Sequence, residues 1–133
     1  MTVIKSVLST LACSFVLASG ASAELVSGSG DVFKLQTHSH LADMPVRNFV
    51  EVEFTLTDTE NMPVTGAKIR LSGGMRAHGH GLPTRPLVEE LEVGRYIVKG
   101  LKFSMPGAWE LQFDIEIDGY TEQIRLNFVI NDD

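Results

Sequence analysis

Apolar and polar residues alternate strictly through residues 48–57. Val50, Val52, Phe54 and Leu56 fall on one side, and Glu51, Glu53, Thr55 and Thr57 on the other. Side chains on a strand repeat every two residues, so this pattern predicts a β-strand with one buried and one wet face. The same period recurs at 31–40 with Phe33, Leu35 and Thr37, and at 67–71 with Ala67, Ile69 and Leu71. It returns at 95–103 with Tyr96 and Val98 inward, and at 108–117 with Trp109, Leu111, Phe113, Ile115 and Ile117. The last such stretch, 120–130, turns Ile124, Leu126, Phe128 and Ile130 inward. Residues 84–91 form a weaker strand whose Pro86 suits a sheet edge. Asp118-Gly119 predicts a two-residue type I′ hairpin. No stretch after the N-terminal leader has a helical period. About seven short strands separated by turn residues predict an all-β fold, an immunoglobulin-like antiparallel two-sheet β-sandwich spanning 31–133.

The N-terminus departs from this pattern. Lys5 precedes an apolar stretch over residues 7–18, and Ala21-Ser22-Ala23 has the small-x-small form of a cleavage site. Residues 1–23 are therefore expected to be a secretory signal peptide, which makes the protein periplasmic or otherwise exported. Residues 24–30, rich in Ser and Gly, are expected to be a flexible leader.

Export changes how the composition reads. The single cysteine, Cys13, leaves with the signal, so neither a disulfide framework nor a thiolate metal site is available. Seventeen acidic residues against 11 basic give a net charge of −6, and losing Lys5 makes it one unit more negative. Such a surface repels nucleic acid and anionic lipid as a whole. Nucleophile elbows and phosphate-cradling glycine motifs are absent from the sequence, and the adjacent acids Glu89 and Glu90 point to opposite faces of any strand. The expectation is a protein that is not an enzyme.

The candidate chemistry lies in residues 73–83, Gly-Gly-Met-Arg-Ala-His-Gly-His-Gly-Leu-Pro, expected to be a glycine-rich loop. All four histidines occur as His-x-His pairs, His38/His40 and His78/His80. Met75, Met105 and Met44 are the nearest thioethers. Imidazole suits copper, zinc and nickel, and thioether suits Cu(I). In an oxidising compartment without cysteine, this inventory points to copper, with His78 and His80 as ligands, His38 and His40 as a second pair, and Met75 or Met105 as a soft ligand. The competing reading is structural: methionine fills gaps in cores, and a loop histidine can bond its own backbone.

Two stretches carry a resemblance. Residues 66–86 read G-A-K-I-R-L-S-G-G-M-R-A-H-G-H-G-L-P-T-R-P, and 94–113 read G-R-Y-I-V-K-G-L-K-F-S-M-P-G-A-W-E-L-Q-F. With His78-Gly79-His80-Gly81 and Met105-Pro106-Gly107-x-Trp109 as markers, the sequence resembles the YtkA-like domain family of small exported bacterial proteins. The resemblance implies an extracytoplasmic β-sandwich, with suggestions of metal or copper handling and of roles beside membrane redox complexes. A non-metal interaction module is the alternative. It would dock on a membrane or periplasmic partner through the edge at 84–91 and the Leu82-Pro83 rim.

Overall fold

A computed structural model describes residues 25–132, so the expected signal peptide and its cleavage point lie outside the described residues. Nine strands form among these residues. In chain order they are β1 (Ser27–Ser29), β2 (Phe33–Thr37), β3 (Phe49–Asp58), β4 (Lys68–Met75), β5 (His80–Gly81), β6 (Leu87–Glu92), β7 (Arg95–Lys102), β8 (Gly107–Ile117) and β9 (Tyr120–Ile130). Short 3-10 turns at Leu41–Asp43 and Arg76–His78 interrupt them.

The strands form two antiparallel sheets, ordered β1-β2-β3-β7-β6 and β5-β4-β8-β9. Setting β1 and β5 aside, the seven longer strands have the four-plus-three order of an immunoglobulin constant-type sandwich. Most inward residues read from alternation form the core, while Val50, Ala67 and Ile117 are only partly buried against it. Phe33, Leu35, Val52, Phe54, Leu56, Ile69, Leu71, Tyr96, Val98, Trp109, Leu111, Phe113, Ile115, Ile124, Leu126, Phe128 and Ile130 are all buried. Phe54 links the sheets, stacked on Tyr96 at 5.5 Å and edge-on to Phe113 at 5.1 Å. Asp118 and Gly119 both have positive φ, 50° and 77°, as a type I′ turn between β8 and β9 requires.

Two expectations are corrected. Residues 24–30 were expected to be a flexible leader, but Ser27–Ser29 pairs with β2 as β1. Gly28 fits there because its backbone lies against Ile124 and Leu126; an added Cβ would sit 2.7 Å from both side chains. The turn after β1 is clasped by Glu122, whose carboxylate accepts the backbone N–H of Asp31 at 2.6 Å and of Phe33 at 2.8 Å. Residues 73–83 were expected to be a loop. Instead β4 runs through Gly73 and Gly74 to Met75, turns at Arg76–His78, and returns as β5, with Gly74 opposite Gly81 and Met75 opposite His80. The glycines permit it: a Cβ on Gly73 would lie 2.2 Å from Glu110 O, and one on Gly74 2.2 Å from His80 O.

β6 is an edge strand, as Pro86 directly before it led one to expect, and its exposed residues include Glu89, Glu90 and Glu92 beside Leu87 and Leu91. The Glu90 carboxylate accepts the Thr65 hydroxyl at 2.6 Å and the Gly66 N–H at 2.9 Å. These bonds, the hydroxyl's first, hold its pKa below the usual glutamate value.

Tyr96 ties the 58–66 turn to the core. Its hydroxyl donates to Val64 O at 2.8 Å and accepts from the Ala67 N–H at 3.2 Å. Burial pushes the phenol pKa above its ordinary value. Tyr96→Phe leaves a partly buried carbonyl and N–H without their partner, so chemical denaturation should show a loss of about 1–3 kcal/mol. An unchanged midpoint would mean that water replaces both bonds at no cost.

Candidate functional site

The β4–β5 hairpin places His80 by register. Residues facing each other across an antiparallel pair point to the same side of the sheet. His80 faces Met75, and β4 pairs with β8 up to Gly74 and Glu110, which brings Met75 level with Trp109. His80, Met75 and Trp109 therefore form one row on the inner face of the sheet, starting at its edge. The His80 ring lies 5.9 Å from the Trp109 ring, edge-to-face. Trp109 is only 2% exposed, while His80 stays exposed because β5 is the edge strand of its sheet among the described residues.

His78 ends the Arg76–His78 turn, and Gly79 follows it at φ 64°, a conformation glycine takes without strain. That tight reversal brings the His78 and His80 rings to 6.0 Å between centroids with a 32° tilt. Metal–nitrogen bonds of about 2.0 Å put the ring centres of two imidazoles on one ion roughly 5 Å apart at a tetrahedral angle and roughly 6 Å apart at a near-linear one, so the observed spacing lies at the wide end of that range. The Nδ1 of His80 lies 3.1 Å from Gly81 O. A carbonyl only accepts, so Nδ1 is the donor in this bond and Nε2 is the nitrogen left for a metal. Metal-ligating histidines are commonly held this way by a backbone carbonyl. Arg76, next to the pair, is turned toward Glu110 at 3.7 Å.

The two thioethers differ. Met105 precedes β8, and its carbonyl accepts the Trp109 indole N–H at 2.9 Å. Its side chain packs partly buried against the core. Met75, by contrast, is 1% exposed, with its methyl against Gly107. Its inward position continues the period of Ile69 and Leu71, and it fills core space, so as a soft ligand it would first have to leave the core.

His38 and His40 are not brought to this place. His38 follows β2, and its Nε2 lies 2.6 Å from the Thr55 hydroxyl. His40 leads into the Leu41–Asp43 turn, which packs on β9 at the opposite edge of the sheet from β5. Among the described residues, no three His, Cys, Asp or Glu side chains lie close enough to hold one metal ion. Sequence reasoning missed Trp109 as a neighbour of the histidines. The signal was the facing glycine pairs, Gly73-Gly74 and Gly79/Gly81, which mark a close hairpin rather than a loop.

Fold and site together define a small β-sandwich with an exposed histidine pair on a hairpin tip, backed by a buried tryptophan. Residues 31–114, well over half of the sequence, match the family model described as YtkA-like, and the chain belongs to the YtkA-like family. Neither curated proteins nor solved structures match the chain. Among the described residues no helix is long and apolar enough to cross a membrane.

Proposed function

We propose that this is an exported, periplasmic copper-binding protein whose metal is held by His78 and His80, with a thioether from Met105 as a further soft ligand. The observation carrying this reading is the His78–His80 pair itself: two exposed rings 6.0 Å apart, one with its tautomer set by a backbone carbonyl. Thioether and imidazole together favour copper over magnesium or calcium, which prefer oxygen. Met75 would join only if its buried side chain left the core, so it supports the wall of the site. His38 and His40 lie outside it. Handling, rather than catalysis, suits two or three ligands at an open edge.

Trp109 is the single tryptophan of the chain, 5.9 Å from His80. Copper bound at the pair should quench its fluorescence as elemental analysis reads one equivalent. The double substitution of His78→Ala and His80→Ala should abolish both signals and leave the denaturation curve in place, because both side chains are exposed. Protons compete for the imidazole lone pairs, so uptake should fall as the pH is lowered from about 7 to about 5. Wild-type protein that takes up no copper, either oxidised or reduced, refutes the reading.

A further inference from the structure

A second feature lies on the same side of the sandwich but uses none of the copper-site side chains. β8 pairs with β4 from Lys68 to Gly74, whereas β5 covers only Gly74 and Met75 on the other side. Among the described residues no strand is hydrogen-bonded to β4 on this side before that point. Gly73 O faces β5 and accepts the Leu82 N–H at 3.0 Å. Backbone direction repeats every two residues, so the N–H and C=O groups of Leu71 and Ile69 face the same way, toward an open edge. Between this edge and β6 runs a cleft of about 470 Å³.

The cleft has a definite chemistry. Ile69, Leu71, Leu82 and Leu87 give it an apolar lining, and Arg70 and Arg85 are the charged residues along it. Among the described residues no Asp or Glu lines it. Neither arginine forms an ion pair among the described residues. Asp114 faces Arg70 across the sheet, but its Oδ1 accepts from Gln123 at 2.9 Å and Gln112 at 3.4 Å.

We propose that this cleft receives an extended acidic segment of another protein, which adds to β4 as a further strand. Strand addition draws affinity from main-chain bonds and specificity from alternate side chains. One set would enter the apolar cleft, and the other would bring carboxylates to Arg70 and Arg85. A second copy of this chain fits poorly, since pairing two such clefts sets arginine against arginine.

The test titrates the full chain, followed by amide NMR, with a short acetylated peptide of alternating valine and glutamate. Two controls are the valine–lysine peptide and a valine–glutamate peptide with alternate backbone amides methylated. Binding should shift the amides of Ile69, Leu71 and Leu87. The lysine peptide should bind at least about tenfold more weakly, and the methylated one not at all. Arg85→Glu, an exposed change, should weaken the glutamate peptide by about tenfold or more and favour the lysine one. Equal affinities, shifts centred on another edge, or no shifts would overturn the proposal. So would concentration-dependent shifts of these amides without peptide, which would put a second copy in the cleft. Loss of copper uptake in the histidine variants bears on none of these outcomes.

Discussion

Replacing Trp109 with alanine should cost about 3–5 kcal/mol of folding stability, among the largest losses available to a single substitution here. The side chain is 2% exposed and fills the inner face of β8. It packs edge-on against Phe103 at 5.1 Å and sits opposite Phe128 in the strand register. Phe103 in turn meets Phe128 at 5.7 Å, so the three rings brace one another. Truncation opens a cavity among rings held by two sheets, which limits collapse around it. The indole N–H also satisfies Met105 O at 2.9 Å. Trp109→Phe keeps much of the volume but drops that bond, and should cost less, about 1–3 kcal/mol. Urea denaturation of the two variants separates cavity from hydrogen bond. A midpoint for Trp109→Ala close to wild type would mean that the ring carries little packing energy.

The second large effect concerns geometry at the hairpin. Gly74→Ala should push β5 off β4 and weaken copper binding by about tenfold or more, the usual consequence of disturbing what holds a ligand in place. A Cβ at this position would meet His80 O at 2.2 Å and the Gly81 Cα at 2.7 Å. Both atoms are backbone, so the strand itself must move, and His80 moves with it. Gly79→Ala is the contrast. Nothing lies within 4 Å of its Cβ, and only its φ of 64° is unfavourable, a strain of about 1–2 kcal/mol. Hydrogen exchange at His80 and Gly81 should quicken markedly in the first variant. Equal exchange and equal copper affinity in Gly74→Ala would show that the hairpin does not position His80.

The sandwich was legible where one face of a strand is wet and the other dry. β3, β8 and β9 each carry four or more inward residues in strict alternation, and each lies where expected. β5 has two residues, too few to show any period. β1 is Ser-Gly-Ser, with no apolar side chain; it is held by its backbone pairing and by Glu122, about ninety residues away, a contact that no local pattern announces. Met75 was readable in principle. Ile69, Leu71 and Met75 share one parity, but Gly73 between them has no side chain and blanks the signal. The histidine pairs were visible as pairs; which edge of the sandwich each would reach depends on strand order, and spacing along the chain does not encode it.

The acidic row on β6 has a further consequence. An edge strand with exposed Leu87 and Leu91, followed by exposed Val93 in the next turn, invites stacking into fibres, and neither β1 nor β5 covers it. Glu89, Glu90 and Glu92 place charged groups along it, Glu89 against Lys99 at 2.6 Å and Glu92 3.9 Å from Arg95, so a copy approaching edge to edge would have to strip these charges of water. Protection of this kind weakens with acidity. Because Thr65 and Gly66 keep Glu90 ionised below the usual range, its charge outlasts that of an ordinary glutamate as the surroundings sour. The persistence of charge at this edge in an acidic medium is thereby tied to a turn on the neighbouring loop.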